Sequence, residues 1–190
     1  MRIERLSKEF GLALRWIAFP LHTDIPDEGI EVERLFPPGM YDFRMASERL
    51  ERFATGEGIP WSPGEGMAYN STRAQVLSKW AEAEGKGEAF HTAAFRAMFV
   101  ERLNIAEPGV LRKTAQAAGL DPAAVDGALE KQLYTDAVNS DWEYCRKQGV
   151  TAVPTLSIGG RSLSGAHPYE TMRELVTATG PGRTGGLNII

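Results

Sequence analysis

The chain holds one cysteine and three histidines, and these few side chains bound the chemistry it can perform alone. A single thiol, Cys145, cannot form an intrachain disulfide or build a cysteine-based metal cluster. Its setting is also unfavourable for a nucleophile. It lies near the C-terminal end of a predicted helix, where the dipole opposes a thiolate, and it shares a face with Trp142; Arg146 and Lys147 offset this only in part. The sequence therefore predicts a buried, inert thiol. His22, His91 and His167 are too widely separated for ligand spacings such as His-x-x-x-His, so no metal site is expected. Met45, Met67, Met98 and Met172 read as core filling, and Glu82 and Glu84 as a solvated helix face.

Composition narrows the partners. A net charge of -4 without a basic, aromatic-rich run gives nothing for a phosphate backbone to follow, so nucleic acid is not an expected partner. No apolar stretch approaches the roughly 18 residues of a membrane span, and the start Arg2-Ile3-Glu4-Arg5 is charged where a signal peptide turns apolar. A cytoplasmic chain is expected, with a hydrophobic fraction of 43% that suits one packed domain.

The elements that position these residues can be read in order. Ile3, Leu6 and Phe10 repeat at helical spacing up to Gly11, which predicts a helix over 2–10. No Ser, Thr, Asp or Asn caps it, so it reads as an element entered part-way. Residues 12–19 alternate, with Leu12, Leu14 and Trp16 on one face, and predict a strand. The proline-rich stretch from Pro20 to Met67 reads as a long connection with one short helical pattern near 44–54. Helices follow from Ser71 and again after Gly85. Pro108 and Pro122 stand at first turns, and Val125, Leu129 and Leu133 stripe the next helix. Ser140 and Glu143 have capping-box spacing and predict the start of a short helix that Gly149 closes.

Val153-Pro154-Thr155-Leu156-Ser157-Ile158 then reads as a strand with proline at its mouth. Gly159-Gly160 is a two-residue hairpin signal, and Arg161 to Ser164 is the return strand. Pro168 opens a last helix through Met172, Leu175 and Val176, ending at Gly180. The tail 181–190 has little to pack and is expected to be mobile.

Gly149-Val150-Thr151-Ala152-Val153-Pro154-Thr155-Leu156 resembles the GVxxVPT segment of the DsbA superfamily. Ser164-Gly165-Ala166-His167-Pro168 is similar to the SGAQP of its FrnE-like members. Asn70-Ser71-Thr72-Arg73, the run from Lys79 to Phe99 and Asn104-Ile105-Ala106 resemble that group's helical insertion. The resemblance spans residues 2–178 and implies an α/β, thioredoxin-like (DsbA-like) fold in one domain over 1–180, with the insertion at about 70–138 and 181–190 as a flexible tail. It further implies that Val153-Pro154 is a cis-proline peptide facing the active site. Without an N–H on Pro154, the Val153 backbone is left to pair with an extended substrate; an ordinary edge-strand proline is the alternative. His167 stands where the family usually has Gln and could titrate near neutral pH or bind a carboxylate.

The Cys-x-x-Cys that the family carries after its first strand is absent, as is the serine of the related kappa-type glutathione transferases and 2-hydroxychromene-2-carboxylate isomerases. In that fold the first strand lies between those expected at 12–19 and 155–158. Leaving its place open would strand about ten backbone groups at roughly 1–3 kcal/mol each if buried, more than a domain can bear. Three resolutions follow: a start further upstream, direct pairing of the two flanking strands, or pairing supplied by a second subunit as a homodimer. The resemblance implies a thiol–disulfide oxidoreductase that is redox-inactive in this form, with a thiol or disulfide peptide as substrate. The alternatives are a glutathione-dependent isomerase or transferase and a non-catalytic peptide-binding remnant. No cofactor is required, glutathione being the one candidate. Val153, Pro154 and His167 are the candidate substrate-binding residues, and no catalytic residue is assigned.

Overall fold

Helical spacing at the start of the chain produces α1 (Arg2–Phe10), with Leu6 wholly buried, and a short strand β1 (Leu14–Trp16) follows. The computed structural model describes residues 2–64, 66–179 and 186–190. After β1 come β2 (Ile30–Glu31), α2 (Phe43–Gly56), β3 (Met67–Ala68), α3 (Thr72–Ala83), α4 (Gly87–Phe99) and α5 (Pro108–Ala117). Then follow α6 (Val125–Glu130), α7 (Gln132–Lys147), β4 (Thr155–Ile158), β5 (Arg161–Ser164), α8 (Tyr169–Thr177) and β6 (Leu187–Ile189). Among the described residues no helix is long and apolar enough to cross a membrane.

The chain divides into two units, one of Met1–Leu21 with Asn139–Ile190 and one of His22–Val138. The first is built on a four-stranded sheet in the order β1-β6-β4-β5. β4 and β5 form an antiparallel hairpin that pairs Ile158 with Arg161 and Thr155 with Ser164. Its turn, Gly159-Gly160, has φ of 57° and 79°, both in the left-handed region that glycine enters without penalty.

β6 corrects the expectation of a mobile tail. It runs parallel to β1, with Leu187 opposite Leu14, and antiparallel to β4, with Ile189 opposite Leu156. The physical reason is in the side chains and the main chain together. Leu187, Ile189 and Ile190 are buried, and backbone groups on both edges of the strand find partners, Ile17 N–H reaching the Ile189 carbonyl at 2.8 Å. β1 and β4 therefore do not pair directly, as one of the three resolutions required. The helix stop assigned to Gly180 and the tail residues 181–185 lie outside the described residues.

Alternation along the strands sends apolar groups to both faces of this sheet. On one face Leu156, Ile158, Leu187 and Ile189 pack with Leu6 of α1 and Tyr169, Met172 and Val176 of α8. The other face brings Ile17 and Ile190 against Cys145 of α7. α1 and α8 are also joined at the surface: Tyr169 donates its hydroxyl proton to the Glu9 carboxylate, and Arg173 Nε donates to the same carboxylate at 2.8 Å. This pairing lowers the pKa of Glu9 and raises that of Tyr169.

In the second unit α3 to α6 bury Leu77, Trp80, Phe90, Leu111 and Val125. Two asparagines fasten the connection that precedes them. Asn70 Nδ2 donates to the Ile25 carbonyl at 2.8 Å, and Asn104 Nδ2 donates to the Asp27 carbonyl at 2.7 Å. The long connection also contains the β2–β3 ladder and α2, whose start is capped by Asp42 accepting from Met45 N–H at 2.9 Å.

Three smaller expectations are corrected. The strand expected at 12–19 is regular only over Leu14–Trp16. Ser140 does not begin a helix, because α7 runs unbroken from Gln132 through a stretch without Gly or Pro. Leu133 is 69% exposed, since α6 ends at Glu130 and the stripe begun by Val125 does not carry across the break.

Candidate functional site

Proline at the mouth of β4 determines how the hairpin begins. Pro154 has no N–H to give, and its carbonyl accepts the Gly165 N–H at 2.7 Å, tying the entry of the hairpin to its exit. Immediately after it, the N–H and C=O of Thr155 both pair with Ile190 at 2.9 Å. Val153 differs from both neighbours. Its bond to Pro154 is cis, the residue is 38% exposed, and neither its N–H nor its C=O has a hydrogen-bond partner among the described residues. An unpaired main-chain donor and acceptor thus lie at the surface next to the end of a sheet.

The buried hydroxyl of Thr155 and the exposed one of Ser164 hold this corner together. Thr155 Oγ1 gives its one proton to the Ala152 carbonyl at 2.7 Å, so in the 2.7 Å contact between Thr155 and Ser164 the serine is the donor. His167 Nε2 lies 2.8 Å from the Ser164 carbonyl. A carbonyl only accepts, so Nε2 carries the proton and Nδ1 is the acceptor side of the ring. Arg2 Nη1 donates to the His167 carbonyl at 2.7 Å and fixes the backbone there.

The three residues named from sequence therefore sit around one strand end: Val153 and Pro154 at its entry and His167 three residues beyond its partner strand. Thr155, Ser164, Gly165 and Arg2, which hold them, are not singled out by the sequence. Part of that was readable. A two-residue turn at Gly159-Gly160 requires Thr155 to face Ser164, and two hydroxyls in register form a bond. The Arg2 contact carries no local signal, because it spans 165 positions of sequence.

Cys145 stands apart from this constellation. It is 1% exposed, packs with Ile17 and Ile190, and its Sγ points at the Ala18 carbonyl at 3.6 Å. Burial, and then the nearby Asp141 carboxylate, push the thiol above its ordinary pKa. Asp141 is itself buried and accepts the Ala18 N–H at 2.9 Å. His22 and His91 belong to the other unit. His91 packs at a tilt against Phe95 with ring centres 4.5 Å apart, and burial pushes its pKa down to about 4. Among the described residues no group of three or more His, Cys, Asp or Glu side chains is arranged to hold a metal ion.

A sheet entered through a proline hairpin and flanked by helices has a counterpart among known families, and the profile described as DSBA-like thioredoxin domain matches residues 1–177. The chain belongs to the DSBA-like thioredoxin domain family. Its fold is the DsbA-like thioredoxin fold, and the family is one of thiol–disulfide oxidoreductases. Among curated relatives, YwbO of Bacillus subtilis, itself described as uncharacterized, is 35% identical over 99 residues, which are 52% of this chain and 50% of YwbO. The chain thus spans about half the length of that relative. Among solved structures, a probable DsbA oxidoreductase from Streptomyces coelicolor superposes with a TM-score of 0.83 at 24% identity, over 97% of this chain and 84% of that one. A 2-hydroxychromene-2-carboxylate isomerase superposes with a TM-score of 0.67 at 21% identity, over 94% of this chain and 85% of that one. At these identities the superpositions establish a shared fold.

Proposed function

We propose that this DsbA-family chain binds extended thiol- or disulfide-bearing peptides through the main chain of Val153, and that in this 190-residue form it does not itself exchange disulfides. The observation that carries the reading is the unpaired N–H and C=O of Val153 at an exposed strand entry, beside a proline whose carbonyl is already engaged. A peptide laid alongside would gain two main-chain hydrogen bonds without displacing any internal one. His167, with Nδ1 as its acceptor side, is suited to receive an S–H or N–H from the same ligand, and in its protonated form to bind a carboxylate.

Exchange through a mixed disulfide needs an accessible thiolate. The one thiol of the chain is buried and its pKa is raised. Insulin reduction in the presence of excess dithiothreitol is therefore expected to run at the rate of the reagent alone, while a fluorescent peptide containing S-methylcysteine binds saturably. A rate above the reagent control would defeat the claim of redox inactivity; absence of saturable binding would defeat the claim of a peptide site. Calorimetry separates the smaller ligand. Heat of binding with glutathione, and none with peptides that lack its γ-glutamyl link, would favour the isomerase-type reading instead.

A further inference from the structure

In the second unit one arginine has a backbone conformation that is costly and side-chain donors that meet no acceptor. Arg102, just after α4, has φ 56°, in the left-handed region that non-glycine residues avoid. Its guanidinium carbon lies 4.4 Å from the centre of the Trp61 ring, and Trp61 stacks in turn on Phe99 with centroids 5.7 Å apart. Stacking occupies the flat face of a guanidinium and leaves its edge for hydrogen bonds. Nε and Nη2 of Arg102 are buried with no acceptor among the described residues, and so is Nε1 of Trp61. Nε and Nη2 form one edge of the guanidinium, the pair that meets two oxygens of a carboxylate or phosphate side-on. Glu101, the adjacent carboxylate, is engaged elsewhere, 2.9 Å from Arg96 Nε. Main chain approaches the guanidinium: a Cβ added at Gly64 would stand 3.0 Å from Nη1 and 3.3 Å from Nε, a tight contact that glycine avoids.

Three buried and unsatisfied N–H groups on a half-buried cation are costly, and an oxyanion that meets them removes that cost. The geometry points to Arg102 and Trp61 as a binding site for a small-molecule oxyanion that presents at least two oxygens, a carboxylate or a phosphoryl group. Backbone strain at Arg102, its stacking on Trp61 and the unmatched donor edge are three separate observations that converge on that chemistry. The site is independent of the Val153 reading and stands or falls without it.

The test uses the full isotope-labelled chain, following the Arg102 Nε–H and Trp61 indole N–H resonances by NMR. Inorganic phosphate and acetate are titrated separately, with sodium chloride at matched ionic strength as the control. Both resonances are expected to move together and saturate with phosphate, acetate or both, and to stay in place with chloride. Arg102→Gly removes the donors while suiting the left-handed backbone, so the fold survives and the saturable indole shift disappears; its persistence would overturn the proposal. Arg102→Lys keeps the charge without the side-on pair and should weaken binding roughly tenfold, and undiminished binding would overturn the bidentate geometry. Equal shifts with chloride would reduce the effect to screening. That result would refute an external oxyanion site.

Discussion

Val153 is set apart by its main chain, whose N–H and C=O meet no partner among the described residues while the residues on either side of it are tied down. Its isopropyl side chain has little to do with this, so sequence alone points to the position only through the proline that follows. Cys145 is the opposite case, a reactive type made inert by its surroundings. In the native chain it should resist an excess of a thiol-specific chromogenic reagent at neutral pH and react fully once the chain is unfolded. Reaction at the rate of a free thiol in the folded protein would contradict that assignment. His91 is a second residue whose surroundings outweigh its type. Burial lowers its folded pKa to about 4 from the ordinary 6.5, so between those values the unfolded chain binds the extra proton. Stability should therefore be fully present above about pH 6.5 and fall as pH drops towards 4, by up to about 3 kcal/mol. Urea unfolding across that range, repeated for His91→Gln, measures the share due to this ring; the variant should lose much of the slope.

The hairpin and β6 mark the two limits of what can be read at the level of elements. The hairpin is local: Gly159-Gly160 sets the turn, the turn sets the register, and the register places Ser164 against Thr155. Every step is encoded within ten residues. β6 is non-local. Leu187-Asn188-Ile189 is too short and too near a glycine-rich stretch to read as a strand, and its stability comes from partners more than 30 and 170 residues away in sequence. In sequence the tail has little to pack against and reads as mobile; the space between β1 and β4 supplies the partners. Leu187→Ala should cost about 2 to 5 kcal/mol of unfolding free energy, the range for a fully buried leucine. A loss below about 0.5 kcal/mol in a denaturant titration, the scale of a surface change, would mean that the strand is not part of the core.

For the whole molecule, the family and the fold were legible because the diagnostic words around Pro154 and the helical layer occur in order over nearly the whole chain. The tether from Arg2 to His167 and the donor edge of Arg102 were not, because each depends on where distant segments come to rest. The central claim, that a member of a thiol–disulfide family with one buried thiol keeps the peptide-binding half of the task, concerns one amide. Hydrogen exchange at the Val153 N–H, measured with and without a saturating S-methylcysteine peptide, tests it most directly. The account predicts rapid exchange in the free chain and protection of roughly tenfold or more in the complex. An identical rate at Val153 in both states, with the peptide demonstrably bound, would contradict it.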